Sequence, residues 1–169
     1  KVIAITGASG MIGSALVESL RRDGHQLIRL VRRTPVRPDE SYWDPAAGTI
    51  EAGRLEGLDG VVHLAGENLS GGLWTEARKR RIRESRAQGT TLLATTIANL
   101  SRRPQVMVSA SAIGYYGDRG DTVVTEAAPN GRGFLADVVQ AWEDSAEPAR
   151  EQGIRVANPR FGVVLDRQG

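Results

Sequence analysis

The chain of 169 residues has no cysteine, so disulfides and thiolate metal sites are excluded, as is expected of a reducing cytoplasmic setting. Only two histidines are present, His25 and His63, far apart in sequence, and no metal site is expected. No apolar run is long enough to cross a bilayer, and the N-terminus reads as a core strand rather than a leader, so no membrane association is expected. Lysine is almost missing: Lys1 and Lys79 stand against 20 arginines. The net charge of +2 is too small to imply a nucleic-acid partner, and the arginine-rich run 78–86 has no interleaved aromatic platform.

What is present begins at the first residues. Val2–Thr6 is an apolar strand that runs into Gly7, Gly10 and Gly13, a G-x-x-G-x-x-G turn. Met11–Arg22 follows with Ile12, Leu16, Val17 and Leu20 at helical spacing, and Asp23-Gly24 stops it. Such a joint aims backbone N–H groups and the positive end of a helix dipole at an anion. Gly7 permits the tight turn, Gly10 lets backbone approach a pyrophosphate, and Gly13 lets helix pack closely on strand. Gly7, Ser9, Gly10, Met11 and Ile12 are therefore candidate dinucleotide-binding residues.

Strand and helix alternate along the rest of the chain. The pattern predicts strands at Gln26–Val31, near Gly48–Ala52, at Val61–Ala65 and at Gln105–Ala110, with residues 32–60 otherwise loop-rich. It predicts a long helix over Trp74–Leu100 with a break near Gly89, and a polar loop through Asn130. A helix over Phe134–Gln152 and a last strand around Pro159, within Arg155–Leu165, complete the chain. Alternation of this kind implies one α/β domain over 1–169, a doubly wound, mostly parallel sheet covered on both faces. Its ligand crevice lies at the carboxyl ends of the strands, here Gly7–Gly13, Arg32–Arg33, Leu64–Glu67 and Ser109–Tyr116. His63 reads as a buried, hydrogen-bonded histidine, and Trp43, Trp74 and Trp142 as packing anchors.

The end of the second strand bears on the choice of dinucleotide. NAD-binding sheets place an acid there, about 20 residues past the glycines, for the ribose 2′-hydroxyl. Here the residues are Leu30-Val31-Arg32-Arg33, and a guanidinium fork suits a 2′-phosphate. NADP(H) is the expected cofactor, with Arg32 the better gripper and Arg33 as readily facing solvent.

Three segments together resemble the extended short-chain dehydrogenases/reductases: Thr6–Gly13, His63-Leu64-Ala65-Gly66-Glu67-Asn68, and Ser109-Ala110-Ser111 before Tyr115-Tyr116-Gly117. The finer resemblance is to their atypical, sugar-nucleotide epimerase-like branch. It is carried by Trp74-Thr75-Glu76, Ser85-Arg86, Ala112–Gly117, Trp142-Glu143 and Arg160–Leu165. It implies an NAD(P)-binding Rossmann fold in which Leu64 and Ala65 lie along the cofactor, Arg86 turns inward to it, and Ser109 joins the same crevice. Read from the residues alone, Arg86 could equally sit on the wet face of its helix.

Ordinary members of that superfamily carry a Tyr-x-x-x-Lys pair, a proton-transferring phenol held beside a cation. Setting Glu143 as the glutamate that usually follows puts Val139 and Leu135 at those positions, and a one-residue shift gives Val138 and Phe134. No lysine follows Lys79 and no tyrosine follows Tyr116, so no alignment restores the pair. Ser111, Tyr115 and Tyr116 are the remaining candidate catalytic groups. A phenol without a neighbouring cation stays near a pKa of about 10 and is a poor base.

Two readings stay open: an NADP(H)-dependent oxidoreductase or epimerase acting on a carbonyl or sugar-like small molecule, or a non-catalytic NADP(H)-binding module that senses redox state through a protein partner. The resemblance further implies a carboxyl-terminal substrate lobe absent from this chain, and an exposed apolar face where it would dock.

Overall fold

The computed structural model describes residues 1–66 and 75–165. Strand β1 (Val2–Thr6) is paired in parallel with β2 (Gln26–Val31) on one side and β5 (Gly60–His63) on the other. Around this centre the order is β4-β3-β2-β1-β5-β6-β8. The further members are β3 (Glu40–Asp44), β4 (Thr49–Ile50), β6 (Val106–Ser109) and β8 (Arg155–Ala157). Every pairing is parallel except β3 with β4. The expected doubly wound sheet is present, and the strand order reverses between β1 and β5.

Period-two alternation in β1 feeds both faces of the sheet. Ile5 packs with Val17 and Leu27 under α1 (Met11–Arg22). Ala4 faces the larger core formed with Leu30, Trp43, Leu93, Ile97 and Met107. That second face is covered by α2 (Glu76–Ala98) and α4 (Glu147–Glu151), while α3 (Phe134–Asp144) packs beside α2.

Several expectations needed correction. The loop-rich stretch 32–60 holds β3 as well as the expected β4, because Glu40 is buried in ion pairs and so does not behave as a loop residue. Helix α2 passes through Gly89 unbroken; its packing on Trp43 and His63 holds the glycine helical. Trp74 lies outside the described residues. The single helix expected over Phe134–Gln152 is two, since Pro148 has no N–H to continue the first. Pro159 likewise divides the last strand: β8 ends before it, and β9 (Arg160–Phe161) pairs with β7 (Ser111–Ala112) in a separate two-stranded sheet. Among the described residues no helix is long and apolar enough to cross a membrane, and no cluster of metal-ligating side chains occurs.

Candidate functional site

The glycine turn sits where the strand order reverses, between the carboxyl ends of β1 and β5. Gly7 has φ +67°, and a Cβ on it would lie 2.8 Å from the Leu64 carbonyl carbon. A Cβ on Gly13 would come within 2.1 Å of the Gly7 oxygen, so α1 starts as close to β1 as backbone allows. Gly10 differs: among the described residues its Cβ would meet the Gly7 oxygen alone, at 3.4 Å, so these residues leave the space beside it open. Gly10 caps α1, whose first turn carries no acid, so the unpaired N–H groups and the positive helix end around Met11 and Ile12 are uncompensated. The loop fits a pyrophosphate in shape and charge.

Thr6, which the sequence reading passed over, builds the opposite wall. Its Oγ1 accepts the N–H groups of Leu64 and Ala65, each at 3.1 Å, and these bonds draw the chain after β5 against Gly7. The expected strand Val61–Ala65 therefore ends at His63. With two N–H groups donating to Thr6 Oγ1, the threonine proton goes to His63 Nδ1 at 2.7 Å. The imidazole then holds its own proton on Nε2 and donates it to Thr90 Oγ1 at 3.0 Å, where Trp142 Nε1 also donates at 3.0 Å. Burial lowers the His63 pKa to about 4, so the ring is neutral near pH 7. It is a structural tie between β1, β5 and α2.

At the end of β2 the two adjacent arginines have different fates. Arg33 forks onto Glu40 at 2.7 and 2.9 Å. Arg32 is exposed and makes no side-chain hydrogen bond or ion pair among the described residues. Arg86 does turn inward: it is buried, lies 5.1 Å over the Trp142 ring, and its Nη2 would be 3.8 Å from a Cβ on Gly66. Ser109 is fully buried at the end of β6, and its Oγ has no hydrogen-bond partner among the described residues. Glu67 and Asn68 lie outside the described residues.

A second polar cluster surrounds the candidate catalytic residues. Ser111 is buried and donates its proton to Glu143 Oε1 at 2.5 Å. Arg160 grips the same carboxylate at two points, Nε to Oε1 at 2.8 Å and Nη2 to Oε2 at 2.9 Å. Burial pushes the Glu143 carboxyl upward, but hydrogen bonds from Arg160 and Ser111 outweigh it and the net shift is downward. The guanidinium also stacks 3.4 Å from the Tyr115 ring centroid, and Nη1 donates to the Tyr116 hydroxyl at 2.9 Å. Arg160 is thus a cation beside the Tyr116 phenol, a neighbour that the sequence alone does not reveal. Its approach follows from β9 pairing with β7, which sets Arg160 beside Ser111. An open cleft of about 840 Å³ is lined by Tyr116, Glu143, Asn158 and Arg160 together with the loop after Tyr116.

Comparison with known proteins agrees with this architecture. A family model described as NAD dependent epimerase/dehydratase family matches residues 3–160. The Epimerase family protein Mb2239 of Mycobacterium bovis is 40% identical over 168 residues, which cover 99% of this chain and 55% of that protein. The crystal structure of the nucleoside-diphosphate sugar epimerase from Corynebacterium glutamicum superimposes with a TM-score of 0.88 at 42% identity, over 99% of this chain and 35% of that one. Human epimerase family protein SDR39U1 (isoform 2), solved with NADPH, gives 0.85 at 29% identity, over 100% of this chain and 56% of its own. The chain spans about half the length of the curated relatives it matches.

Proposed function

Because this chain belongs to the NAD-dependent epimerase/dehydratase family, we propose that it is an NADP(H)-binding oxidoreductase or epimerase acting on a carbonyl or sugar-like substrate. The observation that carries the cofactor choice is Arg32, an exposed guanidinium, unpaired among the described residues, at the end of β2 where an NAD-binding sheet would carry an acid. The human relative solved with NADPH supports the same choice. Gly7, Ser9, Gly10, Met11 and Ile12 hold the pyrophosphate through backbone amides and the α1 terminus. Leu64 and Ala65, fixed by Thr6, flank the cofactor; buried Arg86 and the Ser109 hydroxyl, unpartnered among the described residues, stand behind them as further candidate contacts.

Bound NADP(H) supplies a hydride donor or acceptor at its nicotinamide. The protein's part is to bind, orient and move a proton. Ser111 is poorly suited to polarise a substrate, since its proton is given to Glu143. Tyr116 is better placed: its oxygen accepts from Arg160, its own proton has no acceptor among the described residues, and it lines the cleft. Arg160 would stabilise the negative charge left on the phenol oxygen when that proton leaves. Tyr115 fixes the guanidinium plane from below.

Titration of the protein with NADPH and NADH tests the reading. Replacement Arg32→Glu should weaken NADPH about a hundredfold, the worth of a charge-assisted phosphate contact, and leave NADH nearly unchanged. Equal losses for both cofactors would refute the choice of NADP(H).

A further inference from the structure

We propose that Glu40, a residue of β3 outside the glycine cradle, sets the preference for NADP(H) by locking the turn after β2 so that Arg32 is the guanidinium this turn presents. The proposal rests on the NADP(H) reading above and adds a second residue to its specificity.

The turn itself is unusual. Strands β2 and β3 run parallel with Arg29 opposite Glu40, yet only residues 32–39 join them. Parallel neighbours ordinarily need a crossover of a dozen residues or more, most often a helix. Something else must therefore hold this short return in one shape. The Glu40 side chain is wholly buried and accepts four hydrogen bonds: two from Arg33, one from Arg29 Nη2 at 3.1 Å, and one from the Val36 backbone N–H at 2.9 Å. Arg33 Nη1 also donates to the Thr34 carbonyl at 3.0 Å. Asp39 completes the lock by accepting from Nε and Nη2 of Arg29, each at 2.9 Å, and from Nη2 of Arg21. The carboxylate of Glu40 thus gathers residues 33 to 36 around one buried point.

Two consequences follow for the ligand. Arg33, which charge counting offers as a second phosphate ligand, is committed to Glu40. Arg32, the next residue back, is unpaired among the described residues but rooted in a turn that is already ordered, so less freedom is lost when it closes on a phosphate. Geometry rather than the number of positive charges then makes the preference.

Charge-conserving substitutions separate these two causes. Glu40→Asp keeps the carboxylate but shortens its reach; Arg33→Lys keeps the cation but loses the planar fork. In each variant the ratio of NADPH to NADH affinity should fall about tenfold, the cost of ordering one loosened arginine, while NADH affinity stays within about twofold and reports an intact fold. Arg37→Lys, at an exposed arginine with no side-chain partner among the described residues, should leave the ratio unchanged. An unchanged ratio in both variants overturns the proposal, as does a parallel loss of NADH binding, which would make Glu40 structural only. Absence of any NADPH preference in the unmodified protein removes the NADP(H) reading and this proposal together. A preference abolished by Arg32→Glu but indifferent to Glu40→Asp and Arg33→Lys removes this proposal alone.

Discussion

At the scale of single residues, the candidate proton-transfer groups sort themselves by where their hydrogens go. Ser111 donates inward to a carboxylate, Tyr115 offers its face to a guanidinium, and only Tyr116 combines a cationic donor on its oxygen with a place on the cleft wall. The phenol oxygen of Tyr116 thus has a cationic partner, drawn from a residue 44 positions later in the chain. Tyr116→Phe keeps the ring and its edge-to-face contact with Tyr115 while removing the proton. General acid catalysis by one group is worth about 100-fold or more. NADPH consumption across a panel of aldehydes, ketones and keto sugars should therefore fall by about that factor in the variant, with NADPH affinity unaltered. Unchanged turnover in Tyr116→Phe would discard Tyr116 as the donor.

At the scale of elements, Gly89 shows how tertiary packing overrides a local signal. Glycine in a helix interior costs about 0.5–1 kcal/mol relative to alanine, which is why the sequence suggests a break there. Yet α2 continues, because its buried face is held against Trp43, Pro45 and His63. A Cβ at Gly89 would sit 3.6 Å from Trp43 and 3.8 Å from His63 and Pro45, ordinary contact distances. Gly89→Ala should therefore stabilise the protein by about 0.5–1 kcal/mol, read as a higher urea midpoint with an unchanged slope. A destabilised variant would mean that α2 lies closer to β3 than described. The same contrast explains which parts of the molecule were legible in the sequence. Strands β1 and β2 and helix α1 follow from periodicity and local punctuation, and their ends match the reading residue for residue. The glycine cradle was legible for the same reason: its geometry is made by neighbours in sequence. Strand β3 was not, since a buried Glu40 reads as a loop residue until Arg29 and Arg33 are known to cover it. Nor was the Ser111–Glu143–Arg160–Tyr116 cluster, whose members come together only through β7, α3, β9 and a turn.

At the scale of the whole molecule, buried titratable groups on different elements make stability depend on pH in two separable steps. His63 is neutral when folded because burial lowers its pKa to about 4, whereas in the unfolded chain it binds a proton below about 6.5. Between those values the unfolded state holds more protons, so stability is complete above about pH 6.5, declines as pH falls toward 4, and flattens below. A displacement of that size corresponds to about 3 kcal/mol at most. The carboxylates act lower. Hydrogen bonds from Arg33 and the Val36 N–H bring Glu40 down to about 2, and Asp39 and Glu143 are also lowered. Their contribution is present above about pH 4.5, where the unfolded carboxylates are ionised, and is lost as pH falls through the folded values. Acid should thus first weaken the β1–β5–α2 tie through His63, and only then open the Glu40 and Glu143 networks that hold the turn after β2 and the β7–β9 pair. Urea midpoints measured from pH 7.5 to 3 should fall through both windows in the unmodified protein. In His63→Asn the decline between pH 6.5 and 4 should largely vanish, while the loss below 4.5 remains. An identical slope in the upper window for both proteins would show that His63 is not the group that titrates there, and that the upper step belongs to some other proton uptake on unfolding.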